Sequence, residues 1–174
     1  MANFVRTQKL IDNNKRTLIK YVIVADGTAT ANATLIKFGD LNYALNATGY
    51  IAKTDPQTHY EVTVKRVYGY SSIDSGYVKI QWEDDDTIGN ANTEMVAFGS
   101  GNFDLDMTSI TGENAVIRPY AVGENANCVG LIYTMSSPTA GDVIDLFIDL
   151  RKAGQDFDQG QTADPVAFNA GWTI

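Results

Sequence analysis

The residues best suited to chemistry are acids gathered at two places in the chain. Glu83 opens a run of four consecutive acids after Trp82, and two more acids follow the glycine-containing stretch 99–101. Calcium prefers such oxygen ligands, and paired carboxylates can hydrolyse glycosides. Consecutive acids between strands are usually solvated, and EF-hand spacing is absent, so we expect folding to need no metal. The candidate metal ligands are Asp84, Asp85, Asp86, Asp104 and Asp106.

Other catalytic chemistry is poorly represented. His59 is the single histidine, and Cys128 is the single cysteine, inside an apolar run that predicts a buried, unreactive thiol. No Gly-x-Ser-x-Gly elbow, phosphate-binding loop or dinucleotide-binding glycine pattern occurs. Counting residues does not eliminate a Ser-His-acid triad, because the fold assembles its members. We nevertheless expect a protein that is not an enzyme and that holds no cofactor.

Three tyrosines suggest a different kind of site. Tyr68, Tyr70 and Tyr77 lie in or beside predicted strands, and exposed aromatic rings can stack on sugars. A glycan-binding module is therefore an alternative function. Against it, aromatic residues at alternate strand positions are more often part of the core.

The charge distribution is uneven. The net charge is −8, but residues 1–20 hold five basic residues and one acid, so the chain beyond them carries −12. An acidic protein is a poor partner for nucleic acid. The basic end could dock on an acidic surface or could be an edge strand protected by its lysines. Apolar runs are too short to cross a membrane, and the first residues lack the apolar core of a signal peptide.

Alternating apolar residues predict strands along most of the chain. Residues 60–64, 77–82 and 142–150 alternate, and the first pattern slips at Lys65-Arg66 as at a β-bulge. Turn residues predict hairpins over 9–25, 60–82 and 95–106. Eight to ten short strands without a long amphipathic helix predict an all-β fold, an antiparallel β-sandwich of which the jelly roll is one form.

The periodicity is lost after Arg151. We therefore expect a β-sandwich domain over 1–153, with a basic N-terminal arm or hairpin, and an extended C-terminal tail over 154–174. Large aromatic residues on a tail are frequent interface anchors, although Trp172 could instead fold back onto the domain. The candidates for contact with neighbouring subunits are Phe4, Val5, Arg6, Lys9, Phe168, Trp172 and Ile174.

Four stretches together resemble a family of small all-β structural proteins of tailed bacteriophages. They are the basic opening hairpin 7–20, the strand 76–86 that ends in Trp82 and acids, the segment 96–104, and the last strand within 136–152. The resemblance spans about residues 5–153. It departs around 122–129, where Asn127-Cys128 replaces an expected Gly-Asp pair, and it does not include the tail.

The resemblance implies a virion component that decorates or cements the outer capsid shell. Its implied partners are the major capsid protein and further copies of itself, by analogy as a trimer. It implies no active site, so no catalytic residue is carried over. The competing interpretation places a glycan-binding module on the tail or a fibre.

Overall fold

A computed structural model describes residues 3–45, 60, 62–84, 93–106, 128–152 and 156–158. These residues form strands and one short 3-10 helix, Phe38–Asp40. The all-β prediction is confirmed, and no helix in the described part of the chain is long and apolar enough to span a membrane. The strands are β1 (Phe4–Asp12), β2 (Arg16–Val24), β3 (Thr30–Lys37), β4 (Val62–Ser71), β5 (Tyr77–Asp84), β6 (Thr93–Phe98), β7 (Gly101–Asp106), β8 (Cys128–Ser136) and β9 (Val143–Lys152).

The strands form two antiparallel sheets. The larger sheet has the order β1-β2-β9-β4-β7, and the smaller sheet has the order β3-β8-β5-β6. Each sheet sends one row of alternate side chains into a shared hydrophobic core, so the arrangement is sandwich-like. Such two-layer packing buries the apolar face of each sheet.

The predicted alternation is confirmed in the central strands. In β9, Ile144, Leu146, Ile148 and Leu150 are all fully buried. Each buried aliphatic side chain contributes about 1.5–3 kcal/mol. The expected bulge in β4 is also present, because the pairing of β4 with β9 shifts register between Val64 and Arg66.

Two of the predicted hairpins are wrong. β4 and β5 lie in different sheets, and so do β6 and β7. The β4–β5 connection contains Ile73, which is fully buried. Burial of this side chain in the core stabilises the fold more than its exposure in a hairpin turn would. The rings of Phe98 and Phe103 stack across the β6–β7 connection, with centroids 3.9 Å apart. Turn residues mark where the chain reverses, but they do not determine which sheet it enters next.

Of the two N-terminal alternatives, an arm or a hairpin, the structure shows a hairpin strand for the segment Phe4–Lys9. These residues belong to β1 and pair with β2 from Phe4 opposite Val24 to Lys9 opposite Ile19. Pairing satisfies backbone groups that a separate arm would leave to water. The predicted first hairpin is confirmed, and its turn is held by Asn13, whose Oδ1 accepts the amide protons of Lys15 and Arg16 at 2.9 Å.

Candidate interaction surfaces

The outer edge of β1 is the most exposed part of the larger sheet. β1 pairs only with β2 among the described strands. Its residues are exposed from Phe4 to Leu10, and Phe4 leaves 62 % of its surface in solvent. The strand therefore presents apolar side chains together with backbone donors and acceptors that no other described strand pairs, which is a template for another strand or surface.

The same strand carries features that limit uncontrolled pairing. Its register shifts between Lys9 and Ile11, so Leu10 lies at a bulge. Lys9 Nζ lies 3.2 Å from Asp12 Oδ2 and donates to the Asp40 carbonyl oxygen at 2.7 Å. Bulges and edge lysines both discourage nonspecific association. The regular part of the edge is therefore Phe4–Lys9.

A shallow depression lies on the outer face beside this edge. It has a volume of about 170 Å³ and is lined by Arg6, Gln8, Lys20 and Val22. Lys20 is already paired with Asp145 at 2.9 Å. Arg6 has no ion pair within the described residues, so it is the cation available to a carboxylate on a partner.

The outer face of the larger sheet carries a ladder of rings and cations. Phe147 and Tyr68 stack with centroids 4.8 Å apart and planes 4° from parallel. Lys20 Nζ lies 4.9 Å from the Phe147 centroid, and the Arg66 guanidinium lies 4.8 Å from that of Tyr68. Because neighbours engage these ring faces, Tyr68 is not positioned to stack on a sugar.

The other two tyrosines of the predicted glycan site are exposed, but only Tyr70 shares a face with Tyr68, two positions away on β4. Tyr70 lies on β4 in the larger sheet, whereas Tyr77 begins β5 in the smaller one. Lys79 Nζ lies 5.6 Å from the Tyr77 ring. The three tyrosines therefore do not form one surface, because Tyr77 is in the other sheet and the Tyr68 ring is engaged by Phe147 and Arg66.

Of the acidic candidates, Asp104 and Asp106 lie two positions apart on the exposed face of β7. Asp104 accepts two hydrogen bonds from the Arg66 guanidinium, with the Nε–Oδ1 distance at 2.7 Å. These bonds hold the pKa of the Asp104 carboxyl below its usual value. Asp106 is exposed at the end of β7. Within the residues the structure describes, no three metal-ligating side chains converge. The Asp84 side chain lies outside the described part, as do Asp85 and Asp86.

A buried ionic cluster, which the sequence analysis missed, lies at one end of the larger sheet. Lys152 Nζ donates to Asp12 Oδ1 at 2.5 Å and to the carbonyl oxygens of Asn13 and Asn42 at 2.7 Å each. We call these four residues the Lys152 cluster. Its lysine and acid side chains are 0 % and 5 % exposed. The cluster joins the end of β9 to the first turn and to the loop after the 3-10 helix.

In the Lys152 cluster, pairing favours the charged forms of Lys152 and Asp12, whereas burial opposes them. Burial lowers the pKa of Lys152, and its pairing with Asp12 opposes that shift. Burial also acts to raise the pKa of Asp12, but hydrogen bonds from Lys152 and the Asn42 amide outweigh it and hold that pKa below its usual value. One signal was present in the sequence, because the alternation of Leu146, Ile148 and Leu150 continues to Lys152 on the inward side.

The described part of the predicted tail lies against the domain. Phe157 is fully buried and its ring lies 5.5 Å from that of Tyr60. The Leu45 amide donates to the Asp156 carbonyl oxygen at 2.9 Å, and the Asp158 amide donates to that of Tyr43 at 2.8 Å. The remaining tail candidates, Phe168, Trp172 and Ile174, fall outside the described residues, as does His59. The side chain of Cys128 is likewise undescribed.

Comparison with known proteins supplies no relative for these surfaces. No model of a known protein family matches the chain, and no curated protein matches it either.

Proposed function

We propose that this chain is a non-enzymatic structural protein of a tailed-phage virion that decorates and stabilises the outer capsid shell. The proposal is carried by the long exposed edge of β1, which presents the apolar Phe4, Val5 and Leu10 beside the basic Arg6 and Lys9 on a protein that is otherwise strongly acidic. Such an edge suits attachment to a protein surface, since buried apolar area supplies affinity and charge orients docking. The partners proposed are major capsid protein subunits and further copies of this chain.

The strand order supports a jelly roll, which is the form of sandwich we propose. From β2 to β9, successive strands alternate between the two sheets except for β5 and β6, which pair within the smaller sheet. The resulting runs, β2-β9-β4-β7 and β3-β8-β5-β6, are those of two interlocked Greek keys. Jelly rolls are found in viral capsid proteins, lectins and cupins. A histidine-based metal site has little support, because this sequence has a single histidine. Fold alone does not assign function, so the choice of a capsid protein over a lectin depends on the exposed edge of β1 and not on the jelly roll.

Charge supports a position outside the shell. The net charge of −8 would repel packaged DNA, whose phosphates require basic contacts. The cations of the first strand and turn are few, and Lys9 and Arg16 are already paired with Asp12 and Asp149, so they offer little positive charge to nucleic acid. We propose that the protein acts as a homo-oligomer on the shell, by analogy a trimer.

The alternative function is glycan binding by a tail- or fibre-associated module. Its structural support is the exposure of Tyr70 and Tyr77, which leave 45 % and 42 % of their surfaces in solvent. Its weakness is that the two rings belong to different sheets and that Tyr68 is engaged by Phe147 and Arg66. The alternative predicts that Tyr70→Ala abolishes binding to a sugar.

The proposed function is tested by adding the purified chain to phage capsids assembled without it. Phe4→Ser and Arg6→Glu, both on the exposed edge, are each expected to weaken cosedimentation about tenfold, a loss of about 1.4 kcal/mol. The matched control is Asn102→Glu on β7 at the opposite edge of the same sheet, which should change binding less than twofold.

Salt and imaging complete the test. The Arg6→Glu defect should shrink as salt rises, because screening removes the oriented attraction. Electron microscopy of intact particles should show the protein on the capsid surface. Density confined to the tail tip, or equal binding by all three variants, would overturn the proposal, whereas sugar-dependent binding lost in Tyr70→Ala would establish the alternative.

A further inference from the structure

The outer face of the larger sheet is almost neutral on a protein that is otherwise strongly acidic. The net charge of the chain is −8, but the paired outward positions of the described strands hold five cations and four acids. These positions alternate with the buried rows of the sheet. Identical chains of large net charge repel one another, so a face with balanced charge suits self-association. The charged residues of the outer face are Arg6, Arg16, Lys20, Arg66, Arg151, Asp104, Asp106, Asp145 and Asp149.

A cation and an acid that remain accessible lie at opposite sides of this face. Arg6 lies on β1, is exposed and has no ion pair within the described residues. Asp104 lies on β7, at the other end of the strand order, and its side chain leaves 54 % of its surface in solvent. Its carboxylate binds the Arg66 guanidinium, but its two oxygens accept further hydrogen bonds. One side of the face therefore offers a cation, and the other side offers an acceptor for it.

The middle of the face supplies apolar surface and sufficient area. The stacked rings of Phe147 and Tyr68 and the side chain of Val22 are half-buried, and Tyr70 is 45 % exposed. Five strands about 4.8 Å apart and about eight residues long cover about 24 by 27 Å. Two such faces in contact remove about 1,300 Å² of surface from water, which lies within the range of a specific interface.

We propose that the outer face of the larger sheet packs on the same face of a second copy of the chain, about a twofold axis that runs along β9. β9 is the third of the five described strands. Rotation about it therefore places β1 of each copy over β7 of the other. An axis across the strands would place β1 over β1 and bring the two Arg6 side chains together. Charge selects the first arrangement, because it pairs opposite charges where the second opposes like ones.

The strand register shows which residues meet in this contact. One row across the outer face contains Gln8, Lys20, Phe147, Tyr68 and Asp104. Rotation about β9 keeps this row at its own height, so Gln8 of one copy lies over Asp104 of the second copy. Arg6 belongs to the next row, about 7 Å along the strand, and its long side chain reaches the same carboxylate. An arginine–carboxylate contact adds directional specificity to the attraction.

The inference does not rest on the proposed function, because self-association is a property of the free protein. A twofold contact predicts a dimer of the free chain, not the trimer that analogy suggests for the shell. Capsid binding can fail while the dimer forms, and the dimer can fail while capsid binding holds.

Sedimentation velocity on the purified full-length chain tests the contact. The parent should dimerise with a Kd of about 10 μM, as suits an interface at the lower end of the specific range, and should be mainly dimer at about 100 μM. Arg6→Glu and Asp104→Arg should each raise the Kd at least about tenfold, because each variant then opposes like charges twice in its own dimer. An equimolar mixture of the two variants should dimerise again, because each supplies the charge that the other lacks.

The matched control reverses a charge on the other sheet. Lys79 lies on β5 and pairs with Glu94 at 2.8 Å, so Lys79→Glu should change the Kd by less than about twofold. Gln8 gives a second test at an exposed position where no ion pair is broken. Gln8→Lys should lower the Kd about threefold and Gln8→Glu should raise it by a similar factor, because both side chains lie over Asp104 of the second copy.

Four results would overturn the inference. They are a parent that stays monomeric at about 100 μM, a parent that forms a trimer, a mixture of Arg6→Glu and Asp104→Arg that stays monomeric, and equal Kd values for Gln8→Lys and Gln8→Glu. The Gln8 pair keeps the test decisive if either charge reversal unfolds the chain.

Discussion

Removal of the Lys152 ammonium is the most informative perturbation of the fold. Lys152→Met keeps an unbranched apolar stem beside the rings of Tyr43 and Phe157, which lie 6.0 and 5.2 Å from Nζ. It leaves the Asp12 carboxylate buried without its main partner. Breaking a buried ion pair on one side costs about 3–5 kcal/mol.

The remaining contacts of Asp12 place the expected loss of unfolding free energy at the lower end of that range. Asp12 keeps the Thr17 hydroxyl at 3.0 Å and the Lys9 ammonium at 3.2 Å. The free energy of unfolding of Lys152→Met should therefore fall by about 3 kcal/mol. For a chain of this size that corresponds to about 6–12 °C in melting temperature, or about 1.5 M in the urea midpoint.

The assay is urea unfolding of four proteins: the parent, Lys152→Met, Asp12→Asn and the double variant. Because the double variant removes both charges, its loss should be at least about 1 kcal/mol smaller than the sum of the single losses. The matched control is Lys20→Met, which breaks the accessible pair with Asp145 and should cost less than about 1 kcal/mol. A loss in Lys152→Met no larger than in Lys20→Met, with additive single variants, would refute the reasoning.

Two further predictions concern the pH dependence of stability and the close backbone contact at Gly76. The pKa of Asp12 is lower in the folded protein, so the unfolded chain takes up the Asp12 proton first as pH falls below about 3.9. Below that pH, the difference in unfolding free energy between the parent and Asp12→Asn should narrow, as measured by urea titrations at several pH values. A difference that does not depend on pH would contradict this reasoning. Gly76→Ala would place a Cβ 1.8 Å from the Ser136 carbonyl oxygen and should lower the free energy of unfolding by at least about 2 kcal/mol. In the control Gly99→Ala the nearest atom is 3.6 Å from the new Cβ, so the loss should be less than about 0.5 kcal/mol. Equal urea midpoints for the two variants would show that β5 and β8 separate freely.

The proposed site was only partly accessible from the sequence. The exposure of Phe4, Val5, Arg6 and Lys9 could be anticipated, because a basic opening segment is poorly suited to a core. The sequence offered both an arm and an edge strand for them but could not decide between the two, because these have similar composition. Tyr68 could take part in a glycan site only if a face of its ring were free. The contacts with Phe147 and Arg66 that occupy the ring are visible only in the tertiary structure.

The sequence by itself determined the class of structure and the inward face of several strands. The alternation of Val78, Ile80 and Trp82, and the slip beside Arg66, were sufficient, because side-chain direction in a strand follows a local period of two.

Only the tertiary structure decided which strands pair. β4 and β9 are neighbours although some 70 residues separate them, and the β4–β5 turn crosses between sheets. The Lys152 cluster also depended on tertiary structure, since Lys152 and Asp12 are 140 positions apart. Local sequence sets the direction of each side chain, but partners distant along the chain are selected by the burial and hydrogen bonding of the whole fold.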